Sequence, residues 1–92
     1  MDNEGFKDLA LAIVTQMVKD YYVCLMHIEK NDFITPRKKI ETVKAVHDYE
    51  RFFKSDRFHL YTDVSGESII RVVRQRVKTE YEKEINNGKK EQ

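Results

Sequence analysis

Apolar residues recur along this chain at steps of three and four, and the recurrence is interrupted at only a few places. From Phe6 to about Lys30 the row Phe6, Ala10, Ile13, Met17, Tyr21, Cys24 and Ile28 follows the helical period. At roughly 100° per residue, Leu11, Val14, Val18, Tyr22 and Leu25 fall beside it, so the apolar arc covers about half the circumference. An arc that wide needs either two further helices straddling it or a second subunit. The second row, Leu11, Val14, Val18, Tyr22 and Leu25, is the candidate subunit contact.

Polar Asn31-Asp32 ends the first pattern, and Thr35-Pro36 opens another. Threonine accepts a hydrogen bond from an early unpaired N–H, and proline tolerates the first helical position because its missing donor has no partner there anyway. Phe33 and Ile34, just before the cap, are placed to fold back as a hydrophobic staple. A second helix over about 36–54 buries Ile40, Val43, Val46 and Phe53, with Tyr49 at the margin and Glu50 in a position where the wheel asks for an apolar residue. A carboxylate on an apolar face is costly unless paired. Glu50, flanked by His47, is therefore expected to be a buried polar group accepting bonds from an arginine, a histidine or the free N–H groups of the next helix start.

Ser55-Asp56 can cap a short helix over about 56–61, and Asp63 or Ser65 a last helix over about 67–85 that buries Ile69, Ile70, Val73, Val77 and Tyr81. On that helix Glu67 to Arg71 and Arg76 to Glu80 are spaced as surface ion pairs. Asn86-Asn87-Gly88 reads as its stop, leaving 88–92 as a loose tail. The connection between the second and last helices is crowded with rings. Phe52, Phe53, Phe58 and Tyr61, with Asp63 and Gly66, form an expected structural corner. The predicted fold is all-α: one domain over 1–92, a compact bundle of three long helices plus one short helix at the aromatic corner.

Composition changes this picture little. Ninety-two residues with a net charge of +1 give a thin core and no broad attraction to nucleic acid or membrane. The charge is uneven, however: residues 36–61 carry 7 basic against 4 acidic side chains, and residues 1–35 carry 3 against 6. A lone Cys24 provides no internal disulfide. Lys19 and Asp20 interrupt the best candidate for a membrane span, so no membrane association is expected, and the chain reads as cytoplasmic.

No catalytic set stands out. Cys24, His27, His47 and His59 are the only conceivable metal ligands of their kind, and their spacing is that of chance, so neither metal nor cofactor is expected. Two basic groups, Arg37-Lys38-Lys39 and Arg71, Arg74, Arg76 and Lys78, are candidate contacts for phosphates or an acidic partner.

One resemblance bears on function. Ala12-Ile13-Val14 with Gln16, Val18-Lys19-Asp20-Tyr21, then Glu50-Arg51-Phe52-Phe53 with Ser55, Phe58, Leu60, Thr62-Asp63-Val64, Gly66-Glu67 and Ile69-Ile70 resembles small proteins encoded by phages, prophages and integrative elements of Gram-positive bacteria. Arg57-Phe58-His59 stands where those relatives carry a tryptophan. The resemblance implies a mobile-element accessory protein in a bacterial host cell and implies no activity. The expected function is non-enzymatic: binding a host or phage protein, for instance inhibiting a host defence nuclease through the acidic surface of Asp2, Glu4, Asp8 and Asp20, with a homodimer through the first helix. The alternative is a nucleic-acid-associated factor for replication, recombination or transcription that uses the basic last helix.

Overall fold

The computed structural model describes the backbone of residues 3–90 and the side chains of residues 8–87. It is all-α. Helix α1 spans Asn3–Lys30, α2 Pro36–Phe53 and α3 Gly66–Lys90, with a single 3-10 turn, Asp56–Leu60, between α2 and α3. No strand occurs among the described residues.

Local chemistry explains where each helix stops. Asn31 takes a left-handed backbone with φ of 52°, which asparagine tolerates better than most residues. Its amide thereby donates to the carbonyls of His27 at 2.8 Å and Ile28 at 3.2 Å, capping α1. Thr35 then caps α2: its hydroxyl oxygen accepts from the Lys38 amide at 3.1 Å, ahead of Pro36 in the first turn. The staple expected beside this cap is not made by Ile34, which is 93% exposed, while Phe33 is half-buried with its ring 6.4 Å from that of His27.

At the other end of α2 the Ser55 hydroxyl turns back and donates to the Phe52 carbonyl at 2.6 Å. Ser55 is thus a terminator of α2, and it makes no side-chain cap for the 3-10 turn that follows, contrary to expectation. Before α3, Ser65 accepts from the Ser68 amide at 3.3 Å, which settles the cap on Ser65. Asp63 is exposed and lies outside the corner's packing. Helix α3 also runs past the expected stop: Asn86, Asn87 and Gly88 are helical and the backbone continues to Lys90. Gly88 is therefore interior to the helix, and of the expected loose tail only 91–92 lie outside the described residues.

The core is built from Val14, Tyr21 and Leu25 of α1, Val46 and Phe53 of α2, Phe58 of the 3-10 turn, and Val73 and Val77 of α3. This shifts the phase inferred for α1. Val14 and Leu25, expected at a subunit contact, are buried within the chain, Val18 and Tyr22 are half-buried, and only Leu11 of that row is open to solvent. Ile13, expected in the core, is exposed instead. On α2, Ile40 is 69% exposed rather than buried, because the helix turns that side away from both neighbours.

Rings fill the corner. Phe53 lies 5.5 Å from Phe58 and 5.4 Å from Tyr21, both edge-on, and Phe52 sits 5.9 Å from Phe58 and 6.0 Å from Tyr61. Edge-to-face geometry at these separations adds to the gain from burial alone. Gly66 closes the corner by close approach: a β-carbon there would sit 1.7 Å from the Phe53 carbonyl oxygen. Only glycine lets the start of α3 lie directly on the end of α2.

Helices α1 and α3 run parallel, since the Tyr21–Arg74 level and then the Lys30–Glu84 ion pair (3.2 Å) follow in the same direction along both. The molecule is elongated, 58 × 30 × 20 Å, with a radius of gyration of 15.9 Å. A compact chain of this length would have about 12 Å, so the expectation of compactness fails.

Candidate functional site

The defect on α2 is resolved by its two neighbouring helices. The Tyr21 hydroxyl of α1 donates to Glu50 Oε2 at 2.6 Å. From α3, Arg74 donates to the same oxygen through Nε at 2.9 Å and through Nη2. Burial by itself pushes the Glu50 carboxyl up, but the Tyr21 hydroxyl and the Arg74 guanidinium outweigh it, with Lys54 adding to the positive field, and hold it below its ordinary value. Glu50 is therefore ionised at neutral pH. Tyr21 is pushed well above the usual phenol range by its burial and by the carboxylate beside it, so it remains a donor.

One carboxylate oxygen thus ties all three helices together. His47 takes no part, because it points outward from α2 and is exposed. This arrangement engages Glu50 in holding the fold: its Oε2 accepts from two side chains, one on each neighbouring helix.

Arg74 was expected on a phosphate-binding face and is instead held by Glu50. Arg71, Arg76 and Lys78 remain exposed on α3, with Arg76 offset from the other two. Among the described residues neither Glu67 and Arg71 nor Arg76 and Glu80 come within ion-pair distance, although Lys83 reaches Glu80 at 3.9 Å. On α2, Arg37 and Lys38 both turn to Glu41, at 3.6 and 4.0 Å, which leaves Lys39 as the exposed cation of that trio without such a partner among the described residues.

The stronger basic surface lies further along α2. Ile40, Lys44, His47, Arg51 and Lys54 are all exposed, at steps of four, three, four and three, so they form one row on the outer side of the helix. Arg57 follows in the 3-10 turn, also exposed. Among the described residues Lys44, Arg51, Lys54 and Arg57 have no carboxylate within ion-pair distance. Sequence reading missed this row because it weighed the consecutive Arg37-Lys38-Lys39 and assigned Ile40 to the core. The signal was available in the three-and-four spacing of the cations.

At the α1–α2 turn a shallow cavity of about 210 Å³ is lined by His27, Asp32, Phe33, Ile34, Lys38 and Thr42. His27 Nδ1 lies 2.9 Å from Asp32 Oδ1, and that hydrogen bond holds the Asp32 carboxyl below its usual range. Cys24 is half-buried and its thiol is pushed up, first by burial and then by Asp20. His27, His47 and His59 lie at the first turn, on the outer face of α2 and in the 3-10 turn, so no three metal-ligating side chains converge among the described residues.

The acidic surface foreseen for α1 is thin. Asp8 is exposed, Asp20 accepts from Gln16 Nε2 at 2.9 Å, Asp2 lies outside the described residues, and the side chain of Glu4 is among those not described. The stretch Asp8–Lys30 is, by length and composition alone, long and apolar enough to cross a membrane, despite Lys19 and Asp20. Its Val14, Tyr21 and Leu25 nevertheless belong to the core of this fold.

Compared with known families, curated proteins and solved structures, the chain matches no family model, no curated protein and no solved structure.

Proposed function

We propose that this chain is a non-enzymatic accessory protein of a phage or mobile element, working in the cytoplasm of a bacterial host by binding another protein. Its body is a three-helix bundle folded around the aromatic corner, and its working surface is the outer side of α2. The observation that supports this reading is the exposed row Ile40, Lys44, His47, Arg51 and Lys54, in which one apolar side chain leads into three cationic ones and a histidine. A helix face of that kind suits an acidic protein surface that also offers apolar contact. Inhibition of a host defence protein fits the same face, through an acidic patch on the target.

Affinity capture from host lysate tests the proposal. The wild-type chain at micromolar concentration is expected to retain a specific protein, and the triple variant Lys44→Glu, Arg51→Glu, Lys54→Glu to lose it. All three positions are exposed, so the variant should fold normally, which circular dichroism checks. No specific capture, or equal capture by the variant, would count against the reading.

A second reading is a nucleic-acid-associated factor for replication, recombination or transcription. The four cations Lys44, Arg51, Lys54 and Arg57, together with Arg71, Arg76 and Lys78, favour it. It requires duplex binding that falls steeply with salt and disappears in the same triple variant. Binding that ignores both salt and the substitutions would remove it.

A further inference from the structure

Between the C-terminal half of α1 and the middle of α3 runs a cavity of about 340 Å³, lined by Leu25, Ile28 and Glu29 on one side and by Arg74, Val77 and Lys78 on the other. Leu25 and Val77 are core residues and Ile28 is half-buried, so the floor of the cavity is apolar. Glu29 and Lys78 are exposed and Arg74 is half-exposed, so its rims are charged, negative on α1 and positive on α3. A cleft of this size, with an apolar floor and a few placed polar groups, has the usual form of a small-ligand site.

The rim charges do not neutralise each other directly. Among the described residues neither Glu29 nor Lys78 has an oppositely charged group within ion-pair distance, although Lys30 beside them reaches Glu84 at 3.2 Å. Arg74 is held by Glu50 through Nε and Nη2, which fixes its guanidinium at the cavity wall and reduces the entropy lost when a ligand binds there. With Glu50 included, the charges of Arg74, Lys78, Glu29 and Glu50 cancel. The site therefore has little net pull on a simple anion or cation, and it complements a molecule that carries one charge of each sign. Register sets the separation of those charges. Helices α1 and α3 run parallel, and the Lys30–Glu84 pair places Glu29 about one turn beyond Lys78, roughly 6–7 Å along the axis. A free amino acid, with both charges on one carbon, is too short to meet both rims, whereas two extended residues span about 7 Å.

We propose that this cavity binds a short apolar peptide with free ends, at its smallest a dipeptide. The peptide's carboxylate meets Lys78 and Arg74, its ammonium meets Glu29, and its side chains lie on Leu25, Ile28 and Val77. None of these residues belongs to the outer face of α2, so this binding activity goes beyond the protein contact proposed there and is tested separately from it.

Titration of the isotope-labelled full chain with leucyl-leucine, followed by NMR through assigned backbone amides, reads the outcome. Saturable shifts are expected over residues 25–29 and 74–78, with a Kd on the order of 1 mM, as suits so small a ligand. Glu29→Lys and Lys78→Glu each set a like charge against one end of the peptide, and each is expected to weaken binding roughly tenfold. Both positions are exposed, so the helical circular dichroism should be retained. N-acetyl-leucyl-leucine amide, which has neither charge, should bind the wild-type chain about tenfold more weakly or worse, and it provides the same test should a variant lose its helicity. No saturable shift up to about 10 mM, ten times the expected Kd, would overturn the proposal. So would shifts centred on other residues, variants that bind like the wild type, or a capped peptide that binds like the free one. N-acetyl-leucyl-leucine binding as tightly as the free dipeptide would overturn it in favour of a plain carboxylate site, and free leucine doing so would overturn it in favour of a single amino acid.

Discussion

Replacing Tyr21 by phenylalanine isolates the bond that anchors the three helices. Tyr21 has no accessible surface, and its ring packs edge-on to Phe53 at 5.4 Å. The phenylalanine ring can keep that contact, so the change removes little but the hydroxyl that donates to Glu50 at 2.6 Å. A hydrogen bond to a charged acceptor contributes about 1.5–3 kcal/mol, a large share of the roughly 5–14 kcal/mol that stabilises a domain of this size. The expected cost at neutral pH is therefore about 2 kcal/mol, or roughly 8–16 °C in Tm. Arg74 is half-exposed where it meets Glu50, and an ion pair in such a position is worth at most about 1 kcal/mol. Tyr21→Phe should accordingly cost more than Arg74→Met.

The pH dependence gives the same test independently. Glu50 is held below its ordinary value in the folded state, so its contribution is present above the unfolded value of about 4.3 and is lost as pH falls through the lower folded value. The gap between wild type and Tyr21→Phe should then shrink as pH drops from about 5 toward 3, because a protonated Glu50 is a weaker acceptor. Urea unfolding followed by circular dichroism at several pH values measures it. A cost below about 0.5 kcal/mol at neutral pH, or a cost unchanged in acid, would refute this account of Glu50.

Five further substitutions probe the corner and its caps. Gly66→Ala forces a methyl group into the Phe53 carbonyl and should cost about 3 kcal/mol or more; an unchanged melting curve would show that α2 and α3 do not meet as described. Phe58→Ala should lose about 3–5 kcal/mol, whereas Leu60→Ala, 71% exposed, should stay within about 0.5 kcal/mol, both read by denaturant midpoint. Ser65→Ala should cost about 1 kcal/mol as a lost cap and Asp63→Ala close to nothing, and a reversed order would return the cap to Asp63.

The sequence was informative where one residue's chemistry decides local structure and less so where the relative rotation of helices decides. Thr35-Pro36 and Asn31-Asp32 mark the α1–α2 turn because capping and proline geometry act within a few residues. Glu50 was visible as a defect, and an arginine among its expected partners, because a carboxylate on an apolar face needs a cation. That the arginine is Arg74, and that Tyr21 joins it, depends on how three helices set their registers, which no local pattern encodes. The half-circle of apolar residues on α1 could not by itself say which part faces inward. The inferred phase was displaced, and Val14 and Leu25 proved to be core. Ile40 misled for a related reason: its spacing fits the row of Val43 and Val46, but the wheel places it nearer Lys44 and Arg51. Asn86-Asn87-Gly88 has the composition of a stop, and the α3 backbone continues through it nonetheless.

The outer side of α2 is the surface proposed to meet the partner. Cross-linking of the captured complex through lysine side chains, followed by mass spectrometry, tests it most directly. The expected cross-links to the partner come from Lys44 and Lys54. Cross-links confined to Lys19, Lys78 or Lys83, with Lys44 and Lys54 silent, would place the contact elsewhere and contradict the claim.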